Sequence, residues 1–246
     1  MSIITLLTDF GTADSYVAEV KGVLLQRVPG VTVVDVSHDV APGDIRAGQY
    51  VLSRAWHRFG AGTVHLVVVD PAVGTDRRAL AAFAGGHWFV APDNGLLSVL
   101  PEGARRVALR IPPDASPTFH ARDVFAPVAA RLATGSSLEE LGPSVTDPVH
   151  LPIPTPRVAG TGVVGEVIHV DRFGNLVSNI PGALVGPGAH LVVGGAEVGT
   201  LRRTFGEVER GALLAYVGSG GTVEIAVRDG SAARRLEVGV GAEVRG

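Results

Sequence analysis

A proline-rich stretch divides this chain into two parts of different character. Residues 148–156, PVHLPIPTP, place four prolines in nine positions. Proline has no backbone N–H and a fixed φ, so the stretch suits neither a helix nor a central strand. It reads as an extended linker. Two domains follow, residues 1–152 and 153–246, and their patterns differ. Before the linker, apolar runs at 3–7, 31–36, 64–69, 87–91 and 107–111 read as strands. Helix signals lie between them: from Asp14 or Ser15 to about Arg27, from an opening at residues 42–44, and over 121–133, where Pro127 is expected to kink the helix. This alternation predicts an α/β layer fold with a mostly parallel sheet. After the linker, helix signals vanish. Short β-branched runs at 162–170, 176–180, 190–193, 213–217, 222–227 and 236–240 predict a small all-β barrel or sandwich.

Bulk properties exclude several classes of function. The net charge of −3, from 21 basic and 24 acidic residues, gives nucleic acid or an anionic membrane no basic surface to bind. With no cysteine, the chain has no disulfide, thiol nucleophile or thiolate metal site. The opening MSIITLLTDFG has no basic leader region, and no apolar run approaches a membrane span. A cytoplasmic protein is expected.

Chemistry concentrates where strands end. The run HLVVVDPAVGTDRR, 65–78, is a buried strand ending in Asp70, then a turn at Gly74, then Arg77 and Arg78. Ligands of open α/β sheets bind at the carboxyl ends of the strands. An Asp–Arg pair there either is a surface ion pair or holds a water by charge-assisted hydrogen bonds. Asp9 ends the first strand similarly; it either caps the next helix or accepts from the two hydroxyls of a diol such as ribose. The segment Asp93-Asn94-Gly95 is a third polar exit. His120, Arg122 and Asp123 enter an otherwise apolar segment, where His120 and Asp123 suggest a metal only weakly, without supporting motifs. In the second domain, Phe173 can stack on a heterocycle. Asn175 offers the donor and acceptor of a purine edge, although Gly174-Asn175 equally suits a hairpin turn. Ser219, in a glycine-rich turn, can meet a carboxylate. The string GTGVVG at 160–165 matches GxGxxG but lacks a preceding strand and a following helix, so it is no dinucleotide fingerprint.

Taken together, LLTDFG (6–11), VVDPAVGT (68–75), the arginines at 77 and 78, APDNGLL (91–97), TFHARDVFAPVAA (118–130), DRFGNLVSNI (171–180) and SGGTVEIAV (219–227) resemble the S-adenosyl-L-methionine (SAM) hydroxide adenosyltransferases. These are the SAM hydrolases of the DUF62 group, related to fluorinase and chlorinase. The resemblance covers nearly the whole chain. It implies an α/β domain with a C-terminal β-barrel, and a homotrimer whose ligand lies between one subunit's first domain and its neighbour's barrel. It also implies hydrolysis of SAM to adenosine and L-methionine, with no cofactor or metal. By the same resemblance Asp70, Arg77 and His120 form the catalytic set, and Asp9 holds the ribose diol. Phe173 and Asn175 contact adenine; Asp171 and Ser219 contact the methionine end. Two departures stand out: Ala72 where the family commonly has DPGVG, and Ala121 where it has TFHGRD. The halogenases carry serine at the position of Ala121, tyrosine at that of His120, and a loop insertion that residues 93–110 are too short to hold. A metal-dependent hydrolase and a SAM- or adenosine-binding regulator without turnover are the competing readings.

Overall fold

The computed structural model describes residues 2–160 and 162–246, and falls into two compact units that divide between Pro152 and Ile153. Thr161, inside the rejected GxGxxG string, lies outside the described residues.

The first unit is a six-stranded sheet between helices. In chain order it runs β1 (Ile3–Thr8), α1 (Tyr16–Arg27), β2 (Thr32–Ser37), α2 (Ile45–Ala55), β3 (Val64–Val68), β4 (Ala79–Ala84), β5 (His87–Pro92), β6 (Arg105–Leu109) and α3 (Ala126–Ala133). The sheet order is β2-β1-β3-β5-β4-β6. Strands β2, β1, β3 and β5 are mutually parallel; β4 is antiparallel to both its neighbours. The central strand β3 is buried throughout because both sheet faces are covered. Side chains alternate across a strand. Thus Leu66 and Val68 pack with Val20, Leu24, Ala126 and Ala129 of α1 and α3, while Val67 and Val69 pack with Leu52 of α2, Phe89 and Leu96.

Strand β4 is not foreseen in the sequence. Its run ALAAFA is mostly alanine, a poor strand former. It forms because Gly85 and Gly86, both at positive φ, turn it back tightly on β5. The continuous helix over 121–133, kinked at Pro127, that the sequence predicts is not what forms. Residues Ala121–Phe125 form a π-type turn that leads into α3, and Pro127 sits in the first turn of α3, where a missing N–H costs nothing.

The second unit is a closed barrel. Its strands are β7 (Arg157–Ala159), β8 (Gly162–Val170), β9 (Leu176–Pro181), β10 (His190–Val193), β11 (Ala196–Arg202), β12 (Leu213–Val217), β13 (Thr222–Val227) and β14 (Glu243–Arg245), with a short helix α4 (Ala232–Leu236) before the last. The order β14-β10-β11-β12-β13-β9-β8 closes through pairing of β14 with β8, so seven strands form the ring and β7 hairpins onto β8. Val163, Val167, Leu176, Ile180, Leu191, Ala215, Val223 and Ile225 fill it. Residues 236–240, expected as a strand, are instead the end of α4 and a loop, and Ser231 caps that helix by accepting from Arg234 N–H. Among the described residues, no helix is long and apolar enough to cross a membrane.

One buried polar cluster lies among the apolar layers. Thr5 Oγ1 and His65 Nδ1 are 2.7 Å apart, and His65 Nε2 lies 3.2 Å from His87 Nδ1. Burial, helped by His87, pushes the His65 imidazole down to about 3. Its ordinary value is about 6.5. Below that ordinary value the unfolded chain takes up a proton that the native state refuses, so stability falls with falling pH until the native value is reached. Between pH 7 and pH 5 this group alone removes about 2 kcal/mol of stability. Urea unfolding at the two pH values measures it. His65→Asn, whatever its own stability, should show a clearly flatter dependence on pH; an unchanged difference would refute the assignment.

Candidate active site

The parallel strands β1, β2, β3 and β5 deliver their carboxyl ends to one sheet edge. Asp9, His38, Asp70 and Asp93 therefore leave the sheet side by side. The segment between β3 and β4 crosses the end of β5, since the sheet places β5 between them. It carries Asp70 at its start and Arg77 and Arg78 at its close.

The two arginines diverge. Arg78 Nε donates to Asp93 Oδ2 (2.8 Å), and its terminal nitrogens donate to the Oδ1 and carbonyl of Asp147 (2.7 and 2.6 Å). Asp93 Oδ1 also accepts from Val149 N–H at 2.8 Å. Arg78 and Asp93 thus fasten the start of the proline-rich stretch, a structural duty. Asn94 Nδ2 donates to the Val69 carbonyl (2.8 Å), tying the exits of β5 and β3 together.

Arg77 turns the other way. Its Nε reaches both oxygens of Asp70 at 3.0 Å, and Nη2 makes a further short contact to Oδ2. The two side chains are only 7% and 5% exposed, which rules out a solvated surface ion pair. Nη2 also lies 3.0 Å from His120 Nδ1. A guanidinium only donates, so Nδ1 is the acceptor and the proton of the neutral ring sits on Nε2. Burial and the Arg77 charge both hold His120 below the usual histidine range. The Arg77 guanidinium lies 5.4 Å from the centre of the Phe125 ring. Its Nη1 is buried and has no hydrogen-bond partner among the described residues. Such a donor is costly unless an oxygen is placed there.

Gly74 makes this meeting possible. It has φ +79°, and a Cβ there would stand 2.4 Å from the Pro117 carbonyl oxygen. The β3–β4 segment therefore packs directly on the loop that presents His120. That loop is closed by Asp123, whose carboxylate accepts from Ser116 N–H (2.9 Å) and from Arg122 Nε and Nη2 (2.7 and 2.9 Å). Asp123 is thus a loop staple. Among the described residues, no cluster of three or more His, Cys, Asp or Glu side chains is arranged to hold a metal ion.

Asp9 is not the cap of α1. Ser15 occupies the N-cap of that helix, and Asp9 Oδ2 instead accepts from Gly43 N–H at 2.7 Å. Gly43, at φ +75°, packs against Pro71, the residue after Asp70. The exits of β1, β2 and β3 are thus contiguous. Phe10, Tyr16 and Phe119 form an edge-to-face trio with centroids 5.3 to 6.1 Å apart, joining the Asp9 loop to the loop of His120. The sequence pattern gave no pointer to Thr8, His38, Gly43 or this trio.

In the barrel, Asp171 is chiefly a turn former. Its Oδ1 accepts from the backbone of Phe173 and Asn175, and its Oδ2 from Asn175 Nδ2 at 2.8 Å. Asn175 is buried, whereas Phe173 is 75% exposed. Gly174 packs against Ser231 at the start of α4. Ser219 lies in the turn from β12 to β13, next to Thr222, which pairs with Pro181; Asp171 to Asn175 adjoin Leu176, which pairs with Ile225. Ser219 is therefore at the other end of the β9–β13 ladder from these three residues.

Comparison with known proteins supports one family for both units. Residues 4–142 match the SAM hydroxide adenosyltransferase N-terminal domain, and residues 165–245 match its C-terminal domain. An (R)-S-adenosyl-L-methionine hydrolase of Thermus thermophilus is 45% identical over 260 residues, covering 100% of this chain and 99% of that protein. A protein of the same name from Salinispora tropica is 43% identical, covering 98% and 96%. The crystal structure of an uncharacterized conserved protein from Thermotoga maritima superposes with a TM-score of 0.91 at 38% identity, covering 98% of each chain.

The geometry around Arg77 has a spectroscopic consequence. In nitrogen-detected NMR of the histidine rings, His120 should be neutral at pH 7 with its proton on Nε2, and it should stay neutral as the pH falls past 6.5. Arg77→Met should raise its titration. A His120 that is protonated at pH 7, or whose titration ignores the loss of Arg77, would contradict the bonding described.

Proposed function

The chain belongs to the SAM hydroxide adenosyltransferase family, and we propose that it hydrolyses S-adenosyl-L-methionine to adenosine and L-methionine by attack of water at C5′. The observation that carries this reading is the buried Asp70–Arg77–His120 set, with a guanidinium N–H still to be matched by an oxygen.

The substrate defines what the site must supply. The C5′ carbon of SAM bears a sulfonium, and methionine leaves as a neutral thioether, so the leaving group needs no acid. The scarce component is the nucleophile. A water must be held in line, stripped of competing hydrogen bonds and relieved of a proton. In this proposal the charge of the Arg77 guanidinium stabilises the developing hydroxide character of that water. Asp70, held by the same guanidinium, orients the water or accepts its proton. His120 completes the cage from the far side of Arg77, its tautomer fixed because Nδ1 is already an acceptor. Such charge-assisted contacts act strongly in a site from which bulk water is excluded.

Binding falls to other residues in this reading. Asp9 accepts from the ribose diol, its carboxylate turned by Gly43 N–H. Phe173 stacks on adenine. Asn175, whose Nδ2 is committed to Asp171, offers its carbonyl oxygen to the adenine amino group. Asp171 and Ser219 serve the amino-acid end. The exposure of Phe173 supports presentation of the barrel's contacts to another chain, as in a homotrimer. A cytoplasmic location completes the proposal, since SAM is an intracellular metabolite.

Purified protein incubated with SAM in ¹⁸O-water, without added metal, should form methionine and adenosine labelled at the 5′-hydroxyl. Asp70→Ala should lower turnover by about 10²-fold or more while adenosine affinity stays within a few-fold, because the lost interaction belongs to the transition state. Intact SAM across neutral and mildly alkaline pH, or unlabelled adenosine, would overturn the proposal.

A further inference from the structure

His38 is a buried polar side chain on the site edge of the sheet, yet it touches none of the catalytic set. It follows β2 and is 6% exposed. Its Nδ1 lies 2.8 Å from Thr8 Oγ1, itself fully buried at the end of β1. Thr8 Oγ1 also accepts from Phe10 N–H at 3.3 Å. The carbonyl of His38 accepts from Gly11 N–H at 2.8 Å. One residue therefore holds the β1 exit at two points, Thr8 on one side of Asp9 and Gly11 on the other.

The network continues outward. An arrangement in which Thr8 donates to Nδ1 places the ring proton on Nε2, opposite Asp35 Oδ1 at 3.2 Å. Asp35 is gripped in turn by Lys21 Nζ at 2.6 Å. A core of purely apolar residues would pack this edge without such a chain. An imidazole at the end of β2 meets a different need: its side chain and its carbonyl together fix the path of four residues, Thr8 to Gly11.

We infer that His38 is a positioning residue for the substrate's ribose, acting through Thr8 to set the Asp9 carboxylate. This inference rests on the reading of Asp9 as the diol acceptor. A carboxylate that accepts from two adjacent hydroxyls must be held within about half an ångström, since hydrogen bonds lose strength steeply when bent. Gly43 N–H fixes the rotation of the carboxylate. His38 fixes the backbone from which it projects. The same argument makes the effect selective: His38 affects how tightly and how specifically the ribose is bound, and leaves the step at C5′ to Asp70, Arg77 and His120.

The test compares adenosine with 2′-deoxyadenosine by calorimetry, and measures kcat and KM for SAM, in four variants of the full chain. Asp9→Asn gauges the diol reading itself. His38→Ala removes the anchor, Thr8→Val removes only the hydroxyl with little change of shape, and His38→Asn restores an acceptor near the place of Nδ1. His38→Ala and Thr8→Val should weaken adenosine binding about tenfold, the loss of one well-placed hydrogen bond. They should weaken 2′-deoxyadenosine binding much less, raise KM, and leave kcat within about threefold. His38→Asn should recover part of the preference for the riboside. If Asp9→Asn abolishes that preference while both Thr8→Val and His38→Ala keep it, the inference fails and the reading of Asp9 stands. If His38→Ala does not fold, Thr8→Val alone decides in the same way. Should Asp9→Asn keep the preference, the diol reading fails and the inference falls with it.

Discussion

The buried ion pair of Asp70 and Arg77 is the constraint around which the first domain is arranged. Taking both charges out of water is expensive, and a buried pair contributes little to stability by itself. Its value here lies in geometry. A bidentate guanidinium is a rigid plane, so fixing its Nε–Nη2 edge on Asp70 fixes the directions of all its N–H groups. Nη2 also reaches His120, Nη1 is buried, and the guanidinium lies over the Phe125 ring. Everything nearby serves that plane. The parallel strands bring Asp9 and Asp70 to one edge, Gly74 lets two loops touch, and the Asp123 staple closes the loop that carries His120.

The same arrangement explains the protonation states that the chemistry needs. A cationic His120 beside Arg77 would place two positive charges in a poorly solvated space, to which the proposed reaction would add the sulfonium of the substrate. Burial and Arg77 together prevent this by holding the imidazole neutral. A neutral ring with its proton on Nε2 remains a hydrogen-bond donor. The cluster thus combines a carboxylate, a guanidinium and a neutral ring, a set that in the proposed reaction suits a polarised water and a departing thioether.

Much of this was readable from residues, for a physical reason. Strand interiors buried on both faces are near-continuous apolar runs, so an aspartate that interrupts one marks its end; Asp9 and Asp70 were visible in that way. The split at the proline-rich stretch followed from missing N–H groups. Strand β4 was not visible, because alanine carries no strand preference and only its Gly85-Gly86 turn betrays it. The strands β11 and β14 were missed for a related reason. Their glycine and glutamate lack a β-branched signature, and pairing in a closed ring, a property of distant residues, holds them in place. Helix α4 was overlooked because the run at 236–240, at its end, reads as a strand. In the site itself, the partners of Arg77 and Arg78 were beyond the sequence: two adjacent arginines look alike until the fold sends one to Asp70 and the other to Asp93 and Asp147. Roles within turns were equally hidden, as with Asp171, which spends its oxygens on its own loop.

If the planar fork of Arg77 is what organises the site, its charge alone cannot replace it. The measurement is single-turnover hydrolysis of SAM by Arg77→Lys, with adenosine affinity determined in parallel. A lysine keeps the positive charge but offers a single ammonium in place of the fork that spans Asp70 and His120. The account predicts that the chemical step slows by about 10²-fold or more, while adenosine binds within a few-fold of the unaltered protein. A variant that retains more than about a tenth of the original single-turnover rate would contradict it, and would show that charge rather than geometry is what residue 77 supplies.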